Sequence, residues 1–151
     1  MDNDVVIECW TDGSTIKRKG RGRGDCGIGY VVTDGNDILF CGGEFIGTQT
    51  SNYAEFYAVL RCLEEITRKV KGEVSQLIVY SDSEIVVKGL TGDYNIHSPN
   101  LEHFPNDIET LYSDLPAEPE YRWVRGHSGQ PLNEFADLIA NTCSTGYPYD
   151  E

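Results

Sequence analysis

The sequence has no long apolar run, and hydrophobic residues make up only 39% of its 151 positions. No stretch approaches the roughly 18 apolar residues of a membrane-spanning helix. The opening MDNDVVIECW lacks the basic-then-apolar pattern of a secretory signal peptide. We therefore expect a cytoplasmic monomer with no membrane partner. The length suits one globular domain, which we expect to span residues 1–143, with a frayed tail at 144–151.

Paired cysteines are also missing from the sequence. The five cysteines are odd in number, widely spaced and without a C-x-x-C pair: Cys9, Cys26, Cys41, Cys62 and Cys143. This pattern argues against a zinc site and against the disulfide framework of a small secreted domain. We expect buried free thiols, and the sequence leaves open a bridge between Cys62 and Cys143.

Basic side chains are scarce, with 12 Lys and Arg against 25 Asp and Glu and a formal net charge of -13. Such a balance ordinarily counts against nucleic-acid binding, because phosphate contacts supply most of that affinity. The acid excess fits adaptation to high salt or simple solubility, and composition does not separate the two. Five of the twelve cations lie in one glycine-interleaved stretch, KRKGRGR: Lys17, Arg18, Lys19, Arg21 and Arg23. A charge run of this kind is commonly a solvated turn, so its neighbours in the fold decide whether it binds a ligand.

Hydrophobic periodicity and turn signals predict an α/β fold. The predicted strands span 5–12, 26–33, 37–45, 77–82 and 121–126, and the predicted helices span 51–70, 83–90, 105–114 and 133–143. Asp34-Gly35-Asn36 predicts a hairpin between the second and third strands, whereas the nearly all-apolar LIVYSD is typical of a central parallel strand. This order predicts a mixed five-stranded sheet, with three antiparallel strands followed by parallel ones, flanked by helices.

Four acidic residues fall where open α/β sheets place functional groups. Asp12 ends the first strand and Asp82 the fourth, Glu55 lies in the first turn of the long helix, and Asp137 lies in the first turns of the last helix. Each alone has a structural explanation, since acids suit helix N-termini and aspartates often close strands. A right-handed crossover would make the first and fourth strands neighbours and bring Asp12 and Asp82 to one edge. Four carboxylates there would repel one another unless a cation lay among them, and Mg²⁺ prefers such ligands.

The same segments resemble type 1 ribonuclease H, the family that cuts the RNA strand of RNA–DNA hybrids. The matching segments are WTDGS, TSNYAEFYAVL, VYSDSEIVVKGL and WVRGHSGQPLNEFADLIA, in order and over nearly the whole domain. The resemblance implies an RNase H-like fold and two Mg²⁺ ions, with Mn²⁺ as a substitute. It implies that Asp12 bridges both ions, that Glu55 and Asp82 hold the ion on the leaving-group side, and that Asp137 holds the ion on the nucleophile side. The reaction it implies is in-line attack of metal-activated water, leaving a 5′-phosphate and a 3′-hydroxyl.

The resemblance also extends to residues outside the four acids. His127, in GHSGQP, matches the family's loop histidine, which assists proton movement or product departure. A histidine between glycines on a polar loop is rarely part of a core. Gly13, Thr50 and Asn52 match positions that contact the minor groove or a phosphate. Glu84 stands where the family often has glutamine, which removes a donor to a base edge.

One departure from the family concerns its basic, aromatic-rich substrate arm. The corresponding region reads GLTGDYNIHSPNLEHFPN and contains no Lys or Arg. The basic stretch 17–23 is therefore a candidate for part of the missing phosphate-binding charge.

Other readings fit the pattern less well. A non-catalytic hybrid-binding or scaffold domain of the same fold would be expected to lack one or more of the carboxylates, and all four are present. Exonucleases of the DEDD type carry D-x-E in the first strand, whereas Asp12 is followed by Gly13-Ser14. Integrase-like transposases order their acids Asp, Asp, Glu, whereas this chain has Asp, Glu, Asp, Asp.

Neutralising the five cations of the basic stretch 17–23 tests its role. We expect weaker hybrid binding and a smaller slope of log affinity against log salt, because fewer counterions are released on binding. Cleavage at saturating substrate should stay nearly unchanged. Binding measured across a salt series checks this, and an unchanged slope would identify the stretch as a solvated turn.

Overall fold

The computed structural model describes residues 4–17 and 22–146, without the side chain of Lys17. One five-stranded sheet has the order β3-β2-β1-β4-β5. The strands are β1 (Val6–Lys17), β2 (Gly24–Thr33), β3 (Ile38–Gln49), β4 (Gln76–Ser81) and β5 (Pro119–Trp123). The helices are α1 (Ser51–Lys69), α2 (Glu84–Thr91), α3 (Phe104–Glu109) and α4 (Pro131–Ser144), with a 3₁₀ turn at Tyr112–Asp114. Within the described ranges, no helix is both long enough and apolar enough to cross a bilayer.

The strand pairing confirms the predicted fold class. β1 pairs antiparallel with β2 and parallel with β4, and β2 pairs antiparallel with β3. β4 in turn pairs parallel with β5. The crossover from β1 to β4 therefore makes the two aspartate-bearing strands neighbours, as the sequence predicted.

Three local predictions were wrong in detail. β1 does not end at Asp12 but runs on to Lys17, because its second half keeps pairing with β2 after the β4 pairing has stopped at Trp10. Glu55 lies just beyond the first turn of α1. The predicted helix at 105–114 is broken into the six residues of α3 and the 3₁₀ turn.

The two faces of the sheet carry separate cores, because side chains alternate along each strand. Ile7 and Cys9 face a large cluster beneath α1, whereas Trp10 faces a smaller cluster beneath α4. Cys62 belongs to the first cluster and Cys143 to the second. The bridge that the sequence left open is therefore wrong, because the sheet separates the two thiols, and all five cysteines are free.

Side-chain caps define where the helices that carry site residues begin. The Thr50 hydroxyl accepts a hydrogen bond from the Tyr53 amide at 3.2 Å at the start of α1. The Gln130 carboxamide oxygen accepts from the amides of Leu132 and Asn133 at the start of α4. Each cap satisfies backbone donors that have no partner inside the helix.

Two glycines of β2 let the backbone of α4 rest directly on the sheet. A Cβ at Gly27 would lie 2.3 Å from the amide nitrogen of Ser144, and one at Gly29 would lie 2.4 Å from the carbonyl oxygen of Ala136. Because the opposing atoms belong to the backbone, no side-chain rotation could relieve either contact. These glycines therefore allow the short distance between the α4 backbone and β2.

We expect Gly27→Ala to lower the free energy of unfolding by about 3 kcal/mol, because the added methyl group must lift α4 off the sheet. Gly22→Ala is the matched control, since a Cβ there meets nothing within 4 Å, and it should change stability by less than about 0.5 kcal/mol. Urea denaturation of both variants checks the prediction. Equal midpoints for the two variants would contradict it.

Candidate active site

Three carboxyl groups from three separate elements meet at one edge of the sheet. Asp12 of β1, Glu55 of α1 and Asp82, which directly follows β4, each contribute one oxygen, and these oxygens all lie within 4.8 Å of one another. Asp12 is only 3% exposed, and the other two are half-buried. Parallel pairing of β1 with β4 brings the two aspartates together, and packing of α1 on β1 adds the glutamate.

A backbone donor orients Glu55 within this cluster. The amide of Gly13 donates a hydrogen bond to Glu55 Oε1 at 2.7 Å. A Cβ at Gly13 would lie 2.6 Å from the carbonyl carbon of Ala54, so only glycine lets α1 come this close to β1. The sequence predicts Gly13 as a substrate contact, which stays a prediction, and the structure shows its backbone amide bound to a member of the cluster.

Burial and mutual repulsion both disfavour ionisation of the cluster. Burial, the Glu55 charge and a hydrogen bond with Asp137 raise the pKa of Asp12 to about 12. Burial and the Asp82 charge raise the pKa of Glu55 to about 8, although the Gly13 amide acts in the opposite direction. Burial also raises the pKa of Asp82. A divalent cation would stabilise the ionised carboxylates and so offset both burial and mutual repulsion, and the donor set therefore fits one.

Asp137 and His127 lie beside the three-carboxyl cluster. Asp137 on α4 faces Asp12, to whose raised pKa it contributes. His127 is exposed on the loop after β5, and its charge acts on Asp82 to lower the pKa of that carboxyl against the effect of burial. The backbone of His127 is left-handed, with φ of 53°. The preceding Gly126 leaves room for Asp82, since a Cβ there would lie 2.9 Å from Asp82 Oδ2.

The remaining predicted site residues have different settings. Thr50 caps α1, and its hydroxyl also accepts a hydrogen bond from the side-chain Nδ2 of Asn100 at 3.4 Å. Asn52 is exposed in the first turn of α1. Arg23 is exposed immediately before β2. Only the backbone of Lys17 is described, and Arg18, Lys19 and Arg21 lie outside the described residues.

Two residues at this edge were not predicted from the sequence. The Trp123 indole N–H donates to the carbonyl oxygen of Asp82 at 3.1 Å, and the side-chain Nδ2 of Asn141 donates to Asp137 Oδ2 at 3.2 Å. The spacing of four residues could have revealed the contact of Asn141 with Asp137, because such residues are neighbours on a helix. No local signal reveals the Trp123 contact, because it joins a side chain to a backbone group 41 residues away.

A sequence profile described as RNase H matches residues 4–145. Ribonuclease H of Chromobacterium violaceum is 33% identical over 154 residues, which cover 93% of this chain and 96% of that relative. Ribonuclease H of Herminiimonas arsenicoxydans is 36% identical over 147 residues, which cover 89% of this chain and 92% of that relative.

Solved structures show the same similarity. RNase H1 from the halophilic archaeon Halobacterium salinarum superposes with a TM-score of 0.78 at 25% identity, covering 94% of this chain and 99% of that one. LC11-RNase H1 in complex with RNA/DNA hybrid superposes with a TM-score of 0.79 at 26% identity, covering 93% of this chain and 97% of that one.

Removing the most buried carboxyl should stabilise the metal-free protein at neutral pH. At pH 7 the unfolded chain ionises Asp12, whereas the folded chain keeps it protonated because its folded pKa is raised above the ordinary 3.8. Folding stability therefore falls as pH rises above about 4. We expect Asp12→Asn to raise the free energy of unfolding at pH 7 by about 1–3 kcal/mol, with the gain vanishing toward pH 4.

Urea denaturation in EDTA at several pH values checks this prediction. Asp93→Asn, at an exposed position, is the control and should change stability by less than about 0.5 kcal/mol at every pH. A stability gain for Asp12→Asn that does not depend on pH, or a loss at pH 7, would contradict the assigned repulsion.

Proposed function

This chain belongs to the ribonuclease H family and is a ribonuclease, and from that premise we propose that it hydrolyses the RNA strand of RNA–DNA hybrids with divalent metal ions. The products are a 5′-phosphate and a 3′-hydroxyl. The observation that carries the proposal is the convergence of the Asp12, Glu55 and Asp82 carboxyl groups at one sheet edge, with Asp137 facing them. A domain that only bound hybrids would gain nothing from this repulsive cluster.

The carboxyl cluster would hold the metal. Carboxylate oxygens are the ligands that Mg²⁺ prefers, and Mn²⁺ accepts the same set. In our proposal Asp12 would serve both of two metal sites, Glu55 and Asp82 would hold the ion in one, and Asp137 would hold the ion in the other. When bound, the ions supply positive charge at the phosphate and acidify the attacking water.

The chain's own residues hold these ligands in place. The Gly13 amide fixes one oxygen of Glu55, and the Trp123 indole fixes the backbone of Asp82 where β4 ends. Because preorganised ligands need no rearrangement during the reaction, they lower its activation free energy. His127, exposed beside Asp82 and followed two residues later by a glycine, is placed to exchange a proton between the site and solvent.

The substrate surface is proposed from residues that border the carboxylates. LC11-RNase H1 was solved with RNA/DNA hybrid, and we propose the same substrate class here. Thr50 and Asn52 lie at the start of the helix that carries Glu55, and Gly13 is next to Asp12. In our proposal these three contact a phosphate or the minor groove, where a 2′-hydroxyl distinguishes RNA from DNA. The basic stretch 17–23, the cytoplasmic location and the monomeric state stay predictions.

A cleavage assay tests the proposed function. Strand-labelled RNA–DNA hybrid, double-stranded RNA, single-stranded RNA and DNA duplex are each incubated with Mg²⁺ or EDTA. We expect cutting of the RNA in the hybrid alone, only with Mg²⁺. Asp12→Asn should cut at least about 100-fold more slowly, since a metal contributes several kcal/mol to such reactions.

Asp93→Asn serves again as the control and should cut like the parent protein. Ligation and phosphatase treatment of the fragments identify the end groups. Hybrid binding without cutting, in both Mg²⁺ and Mn²⁺ and across a range of salt, would instead indicate a scaffold domain. Fragments with 3′-phosphate ends would contradict the proposed water attack.

A further inference from the structure

Two pairs of side chains, here called rungs, connect β1 to α4: Asp12 with Asp137, and Ser14 with Asn141. Asp12 and Ser14 lie two positions apart on β1 and so face the same side of the sheet. Asp137 and Asn141 lie four positions apart on α4 and so share one helix face. Two strand residues span about 6.6 Å and four helix residues about 6 Å, so the spacings nearly match. Asp12 faces Asp137, and Ser14 contacts Asn141.

The glycine contacts described above hold these rungs in register. Gly29 pairs with Asp12 across the sheet, and Gly27 pairs with Ser14. A Cβ on Gly29 would meet Ala136, which precedes Asp137, and a Cβ on Gly27 would meet Ala140, which precedes Asn141. The α4 backbone therefore runs parallel to this part of β1, and four residues of α4 cover nearly the same length as two residues of β1.

The second rung fixes the orientation of one amide group. The Ser14 hydroxyl donates to Oδ1 of Asn141, and Nδ2 of Asn141 donates to Asp137 Oδ2 at 3.2 Å. Because the carbonyl oxygen of Asn141 is turned to a hydroxyl on β1, its NH₂ group is turned back toward the carboxylate. A serine on the sheet thus orients, through one amide, an acid on the helix.

We infer that Asn141 is a positioning residue that, held by Ser14, orients the Asp137 carboxylate toward Asp12. The inference rests on the proposed function, in which Asp137 is a metal ligand. Of the four proposed metal ligands, all within the described residues, Asp137 is the one outside the group whose oxygens lie within 4.8 Å of one another. It stands on a half-exposed helix face, where an unrestrained carboxylate would sample several rotamers. The Asn141 donor restricts that freedom.

A purely structural helix-surface contact would behave differently. A side-chain pair at this spacing stabilises a helix by about 0.2–0.5 kcal/mol, and its loss would change stability slightly and nothing else. A positioning residue changes metal affinity and turnover, and loss of an outer-shell partner to a metal ligand typically costs about tenfold or more.

Asn141→Leu keeps the side-chain size but removes the donor, and Thr142→Val is the matched control. Thr142 is the exposed next residue, and its hydroxyl donates to the helix carbonyl of Leu138 at 2.9 Å. We expect Asn141→Leu to lower kcat on hybrid about tenfold with KM unchanged and to raise the Mg²⁺ concentration for half-maximal rate. Thr142→Val should do neither.

A second readout does not depend on activity. The side-chain carboxyl ¹³C resonance of Asp137, assigned with Asp137→Asn, is followed during a Mg²⁺ titration without substrate. In the parent and in Thr142→Val it should shift at the same Mg²⁺ concentration, and in Asn141→Leu it should need about tenfold more. Ser14→Ala should shift the titration in the same direction by a smaller factor, and adding it to Asn141→Leu should cause no further loss.

The outcomes separate the inference from the proposed function. If the parent protein does not cut hybrid, the proposed function fails, and the Mg²⁺ titration alone decides the positioning role. If the parent cuts and Asn141→Leu matches Thr142→Val in kcat and in titration, the inference is wrong. Additive losses in the Ser14→Ala, Asn141→Leu double variant would also overturn it. Should Asn141→Leu fail to fold, Ser14→Ala decides through the same two measurements.

Discussion

Carboxyl groups held together in a partly buried site repel one another, and the rest of this fold supplies the free energy that keeps them there. The cluster opposes folding at neutral pH, since burial and neighbouring charges raise the pKa of both Asp12 and Glu55. Two apolar cores, one on each face of the sheet, offset that cost. Gly13 and Gly27 let the backbones of α1 and α4 lie this close to the sheet, and apolar packing holds the helices there against the repulsion. The apolar cores offset the free-energy cost of the carboxyl cluster, and the glycines allow the close packing that brings its members together.

The distribution of positive charge follows from the same arrangement. Arg61, in the middle of α1, pairs with Glu44 of β3 and with Glu64, and Arg68, in the last turn of α1, pairs with Glu65. Arg68 also suits the negative C-terminal end of the helix macrodipole. Because these arginines already bind carboxylates of the chain, they contribute little to attracting phosphate. In the proposed function, the bound metal and the cations of the basic stretch 17–23 would supply the positive charge that attracts a polyanion.

The sequence predicted the architecture and the shared edge because both depend on patterns that span many residues. Alternating and helical periodicities gave the element order, and the topology rule for parallel strands brought Asp12 beside Asp82. The end of β1 was misplaced, because strand pairing with β2 continues where local polarity suggests a turn. The sequence left a Cys62 to Cys143 bridge open because residue spacing does not reveal which face of the sheet each helix covers. The Trp123 contact to the Asp82 backbone could not be predicted, since a carbonyl oxygen has no sequence signature.

If Asp12 holds a metal as proposed, its raised pKa would make metal binding an exchange of a proton for a cation rather than a simple addition. A folded protein that holds a proton on Asp12 at neutral pH must release it before that carboxylate can coordinate a cation. Apparent metal affinity then rises with pH, and the measured heat of binding includes the heat with which the buffer takes up the proton. In the proposed function, hybrid cleavage would therefore lose its metal, and its rate, as the pH falls.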